Sequence, residues 1–148
     1  MNDALETLST EFAGLVFESF DETRALALGQ AIVRRAAGLP VVVNIRSAQR
    51  TFFHAALPGS APLNDLWARR KSATALMFQQ PSLLVTRRLA LKGGSLADHG
   101  LDSADYAASG GSVPVMVRGT GLVAVATVSG LPEAEDHALV VAGMREMM

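Results

Sequence analysis

Apolar and polar positions alternate in short blocks along the chain, and the period of each block predicts its element. A first helix is expected over residues 3–12, where acidic residues suit the positive end of a helix dipole. Leu15-Val16-Phe17 reads as a short extended stretch. Asp21 to Ala37 reads as a second helix, with Leu28, Ile32 and Ala36 on one stripe and Gly38 and Pro40 ending it. Gly29 inside that helix marks close packing against another element. Two strands follow, the β-branched Val41 to Ile45 and the aromatic Thr51 to Ala55, joined by a turn over Ser47 to Arg50.

Pro58 to Pro62 read as loop, Leu63 to Phe78 as a third helix and Ser82 to Leu91 as a fourth, with Ser82 as its cap. Gly93 and Gly94 stop the fourth helix, and Asp102 to Ser109 is expected to form one or two helical turns. Val113 to Val117 and Leu122 to Val128 flank Arg118-Gly119-Thr120-Gly121, the signature of a β-hairpin. Both faces of the second strand are apolar, so it should be covered on both sides, by helices or by a partner subunit. A last helix starts at Pro132, a residue suited to a first turn. The pattern predicts an α/β fold, one mixed-order sheet layered between helices, as a single domain over residues 1–148.

The 148 residues include no cysteine, which excludes disulfides, thiolate metal sites and a cysteine nucleophile. The acidic opening Met1-Asn2-Asp3 does not resemble a basic leader, and no apolar run approaches the ~20 residues of a membrane span. A cytoplasmic protein without membrane contact is the expectation. The net charge of −1 hides strong segregation. Residues 1–23 carry six acids and no base, residues 24–92 eleven bases and one acid, and residues 93–148 seven acids and two bases. The basic pairs Arg34-Arg35 and Arg87-Arg88 and the run Arg69-Arg70-Lys71 lie on three different helices. Without a shared face they do not make a nucleic-acid footprint, and they are expected to pair with the acidic first and last helices.

The chemistry-bearing motifs are sparse. G-x-x-x-x-G-K-[ST], G-x-G-x-x-G and H-E-x-x-H do not occur. Gly93-Gly94-Ser95-Leu96-Ala97 approaches a nucleophile elbow but follows a helix, where the elbow needs a strand. Glu133, Glu135, Asp136 and His137 could ligate a hard metal, although acids at a helix start also simply complement its dipole, and no metal site is assigned. Lys71 shares a stripe with Trp67, Thr74 and Phe78 at i, i+4, i+7 and i+11. Its ammonium either snorkels to water or enters a cleft to hold a ligand carboxylate.

The run Gly110-Gly111-Ser112-Val113-Pro114-Val115, the glycine-punctuated hairpin, and Ser129-Gly130-Leu131-Pro132 followed by Asp136-His137 resemble the GlcG/HbpS-like family. That family is also known as the haem-degrading domain and as the PduO C-terminal domain. Together with Asn64-x-x-Trp67-x-x-x-Lys71, these motifs are most similar to its poorly characterised branch, and the resemblance runs from about Leu5 to Met147. It implies a profilin-like α/β/α sandwich with a five-stranded antiparallel sheet, and it implies oligomers. Some members bind haem or cobalamin-related ligands, many have no assigned activity, and no haem-ligand motif is carried over here. The matching positions are Asn64, Trp67, Lys71, Gly111, Ser129, Asp136 and His137.

Three functions compete. The preferred one is a self-associating small-molecule binding module, with haem or another tetrapyrrole as a candidate ligand. In it Trp67, Lys71 and His137 line a cleft near the Ser129 to Pro132 turn. The second is an enzyme using Asp136 and His137 for acid–base chemistry. The third is an interaction or scaffold protein.

Overall fold

The computed structural model describes residues 3–148. In chain order the elements are α1 (Asp3–Ala13), β1 (Val16–Phe17), α2 (Glu22–Arg35), β2 (Val42–Arg46), β3 (Thr51–Ala56), α3 (Pro62–Phe78) and α4 (Ser82–Lys92). A 3-10 turn (Leu96–His99), β4 (Ser112–Val117), β5 (Gly121–Ser129) and α5 (Glu133–Glu146) complete the chain. No helix among the described residues is long and apolar enough to cross a membrane.

The five strands form one sheet in the order β1-β4-β5-β2-β3. β1 pairs with β4 in parallel and the other pairs are antiparallel, so the sheet is mixed and not wholly antiparallel. The hairpin signals fix β2–β3 and β4–β5, because a tight turn leaves no other direction. β1 meets β4 across a long stretch of intervening chain, Val16 pairing with Met116, and no local signal sets its sense. Helices α2 and α5 pack on one face of the sheet, and α3 with α4 on the other. This is the expected α/β/α sandwich.

The face under α2 and α5 is the hydrophobic core. Val43, Ile45, Val113, Val115, Ala126 and Val128 meet Leu28, Ile32, Val140 and Met144, all buried. Gly29 packs as its position predicts: a β carbon there would lie 2.4 Å from the Phe53 ring. Both faces of β5 are covered by this chain's own helices, so the strand requires no partner subunit to bury it.

The face under α3 is different. His54, Asn44, Thr127 and Ser112 stand in register across β3, β2, β5 and β4 as a polar row. Ser72 of α3 joins it at Thr127 (2.8 Å), Thr127 donates to Ser112 (2.8 Å), and the Ser112 amide donates to the Ser82 hydroxyl (3.0 Å). Ser82 is therefore not the helix cap; Pro81 holds that position and the Ser82 hydroxyl serves β4. Buried hydroxyls tolerate such a layer only when paired in this way.

Residues 102–109 form no helix. Instead they make an irregular strap whose backbone is bound by α3. Arg69 donates to the carbonyl of Ala104, Arg70 to those of Ser103 and Tyr106, and Thr74 to that of Ala107. Asp102 competes locally for helix formation by accepting the Ala104 amide (2.8 Å).

The charge segregation resolves only in part as expected. Arg34 and Arg35 of α2 both pair with Glu146 of α5 (2.6 and 3.1 Å), and Arg69 pairs with Asp105 (3.5 Å). The acids of α1 do not serve the central bases: Glu11 meets His137 (2.7 Å) and, more loosely, Arg145 (3.9 Å). Much of the basic run on α3 serves backbone carbonyls, because an irregular strap leaves those acceptors without ladder partners.

Candidate functional site

The buried side of α3 is Ala68, Lys71, Ser72, Thr74 and Ala75, rotated from the stripe through Trp67 and Phe78. Lys71 is therefore drawn under the helix and is only 2% exposed. Its Nζ donates to the Gly110 carbonyl (3.0 Å), the Val128 carbonyl (2.7 Å) and Asp136 Oδ2 (3.0 Å). An ammonium has three hydrogens, and all three are used. Lys71 thus neither snorkels to solvent nor offers a free charge to a ligand carboxylate.

Asp136, on the first turn of α5, is equally buried. Its Oδ1 accepts the Leu131 amide (3.0 Å), and its Oδ2 accepts the Gly130 amide (3.3 Å) as well as Lys71. One carboxylate thus ties the turn after β5 to the helix that follows. Burial pushes the Asp136 carboxyl above its ordinary range, against the pull of Lys71. Burial also pushes Lys71 below the usual lysine range, against the pull of Asp136.

Gly111 explains how the ammonium fits. Its φ is +132°, and a β carbon would lie 2.5 Å from both Lys71 Nζ and the Val128 carbonyl. The neighbouring Gly110 amide is held by Glu133 Oε1 (2.9 Å), so two acids of the α5 start fasten this segment.

Above the ion pair opens a cleft of about 270 Å³. Asn64, Trp67 and Lys71 line it from α3, Ser109 from the strap, Ser129 to Leu131 from the turn, and Asp136 from α5. Asn64 Oδ1 accepts the Ala61 amide (2.9 Å), closing the N-terminus of α3. Trp67 is 36% exposed, and the Arg70 guanidinium lies over its ring, 4.6 Å from the centroid. The structure thus gathers Asn64, Trp67, Lys71, Ser129 and Asp136 into one place, with Gly111 packed against Lys71 beneath it.

His137 is the exception. It follows Asp136 on α5 and turns the other way, since adjacent helical residues do not share a face. Its ring is buried against α1, with Nε2 2.7 Å from Glu11 Oε1 and Nδ1 left without a partner. It does not line the cleft, and Asp136 and His137 do not form an acid–base pair. Ser109, Gly110, Gly130 and Leu131 are site residues that sequence patterning does not single out by role, and Glu133, considered as a metal ligand, instead accepts the Gly110 amide. The Gly-Gly and Ser-Gly-Leu-Pro runs are the signal that marks their neighbourhood.

Residues 20–145 match the family described as haem degrading protein HbpS-like. A UPF0303 protein of Rhizobium rhizogenes is 42% identical over 139 residues, covering 93% of this chain and 86% of that protein. Among solved structures, the Ybr137w protein is similar with a TM-score of 0.88 at 28% identity, covering 97% of this chain and 87% of that one. A double mutant of HbpS from Streptomyces reticuli gives a TM-score of 0.71 at 25% identity, covering 91% of this chain and 92% of that one. Motifs, fold and these likenesses agree: the chain belongs to the HbpS-like family.

Proposed function

We propose that the chain is a small-molecule binding module whose ligand enters the cleft over Lys71 and Asp136. The observation that supports this is the use of the buried pair. Ionised groups are costly to bury, and this pair holds Gly110, Val128 and the Gly130–Leu131 turn in place around an open cleft, which keeps the cleft's walls fixed. With the ammonium saturated, the groups left to meet a ligand are the Trp67 ring, the Ser109 and Ser129 hydroxyls and the Asn64 amide. That set suits a small uncharged molecule carrying hydroxyl or amide groups and one flat face. It does not suit haem, because the lining supplies no His, Cys, Met or Tyr as an axial ligand.

Trp67 is the single tryptophan of the chain, so its emission reports on the cleft. The test is a screen of neutral hydroxylated rings and small amides, read by Trp67 emission and melting temperature together. Binders should move both, and Asn64→Ala or Ser129→Ala should weaken them. Compounds that stabilise the protein while leaving Trp67 unmoved would sink the reading.

Self-association belongs to the same proposal. Leu63, Leu66 and Trp67 run along α3 beside the cleft and are 61%, 42% and 36% exposed. Such an apolar stripe at i, i+3 and i+4 is the face we assign to a second copy of this chain.

A further inference from the structure

Of the basic groups along the chain, those on α2 and α3 find partners. Arg34 and Arg35 pair with Glu146, and Arg69 and Arg70 hold the strap. The group on α4 is not met. Arg87, Arg88 and Lys92 enter no ion pair among the described residues. Helix α1 packs against α4, yet it meets Arg88 with the neutral Ser9 (3.4 Å) while its Glu11 goes to His137. Arg88 and Lys92 stand one turn apart on the same side of α4, where like charges repel.

These two cations border a crevice of about 180 Å³ between α4 and the 3-10 turn. Its apolar wall is Phe78, Val85 and Leu89, and His99 lies edge-on to the Phe78 ring with centroids 5.6 Å apart. Gln80 accepts from Arg88 (2.7 Å) and orients the guanidinium. Gln80 and Ser9 occupy two of the five N–H donors of Arg88, and the remaining three suffice for a two-point grip on a carboxylate. No carboxylate lines the crevice, and Asp98, beside His99, accepts the Ser95 amide (2.9 Å) instead. Drug-sized ligands occupy about 300–1,000 Å³, so this smaller space admits a single ring or a short chain. A larger hollow of about 620 Å³ between α4 and the strap selects no charge: its one cation, Arg70, is committed to strap carbonyls, and the Asp102 carboxylate shares its lining.

We propose that the crevice binds a small aromatic carboxylate, a single ring carrying one carboxylate group. Arg88 holds the carboxylate on two N–H groups, Lys92 adds its charge, and the ring packs on Phe78, Val85 and Leu89. Charge complementarity selects the anion, and the apolar wall selects a ring over an inorganic ion. The crevice shares no residue with the cleft over Lys71, so neither reading depends on the other.

The test is a titration of the isotope-labelled whole protein with benzoate, followed by NMR. The His99 ring signals and the Phe78 and Lys92 amides should shift saturably. The Gly130 and Leu131 amides at the cleft, and the Trp67 emission, should not move. Arg88→Gln should weaken binding by about tenfold or more, as the loss of a hydrogen bond to a charged group does. Lys92→Gln, at an exposed position that leaves the packing intact, should weaken it in the same direction. Acetate and inorganic phosphate carry charge without a ring, and should bind at least about tenfold more weakly than benzoate. The proposal is overturned if the benzoate shifts do not saturate or gather at Gly130 and Leu131 instead. It is equally overturned if both charge variants bind benzoate like the wild type, or if acetate or phosphate binds as well as benzoate.

Discussion

Lys71 and Asp136 belong to helices on opposite faces of the sheet, and they meet at 3.0 Å just past the end of β5. The contact bolts the two helical layers together where β5 stops pairing. Removing one partner leaves the other charge buried alone. Lys71→Met should therefore destabilise the protein by about 3–5 kcal/mol, whereas Lys71→Met with Asp136→Leu should lose less than the sum of the two single variants. Urea unfolding of the four proteins measures this. Strict additivity would mean the two residues act separately.

The same pair sets a pH dependence. The proton on folded Asp136 is held above the ordinary carboxyl value of 3.8, mainly by burial. Stability from that proton is complete below 3.8 and is lost as pH rises through the folded value. Lys71 runs the other way: its folded value lies below 10.5, so the charged form weighs on the fold until pH rises through that lowered value, and stability recovers towards 10.5. Unfolding free energy across pH, minus that of the double variant, should therefore dip between the two transitions. A flat difference would show that the pair does not titrate on folding.

Gly111→Ala should be among the most damaging small substitutions. It combines a φ of +132° with a β carbon 2.5 Å from a carbonyl oxygen and from Lys71 Nζ. A loss of about 3 kcal/mol is expected, and the Trp67 emission should change because the cleft floor moves. Gly119, whose φ of +76° faces open space, is the control for backbone strain alone.

The α3 stripe predicts the assembly state. Leu63→Glu places a charge where 61% of the leucine now meets solvent, so the isolated fold should keep its melting temperature. Light scattering should show a smaller particle than the wild type if copies meet there. An unchanged mass, or a monomeric wild type, would overturn the assignment of this face to a second copy.

Much of the element order is legible in the sequence because the signals are local. Glycines at Gly119 and Gly121 close a hairpin, and Asp21, the first residue of the expected second helix, caps α2 through the Arg24 amide, whereas Pro62, expected in the loop, is the first residue of α3. The 3-10 turn also had a local sign, since Ser95-x-x-Asp98 is a capping box and the Ser95 amide does donate to Asp98 (2.9 Å). What escapes is set by distance along the chain. The direction of β1, the hydroxyl of Ser82 spent on Ser112, and the meeting of Lys71 with Asp136 all depend on residues tens of positions away. His137 shows the limit most plainly. Beside Asp136 it looks like half of a pair, and only the packing of α1 reveals that its partner is Glu11.

The strap over residues 102–109 is held by α3 mainly through its backbone, four of whose carbonyl oxygens accept from Arg69, Arg70 and Thr74, with Asp105 the one strap side chain paired to α3, at Arg69 (3.5 Å). Every residue has a carbonyl, so the path of the strap is indifferent to most of its own lettering. Substitutions at Ser109, Tyr106 or Ala108 should therefore leave the backbone where the α3 donors hold it. The strap is thus a place where the lining of both neighbouring cavities can be altered by substitution while the scaffold stays as it stands.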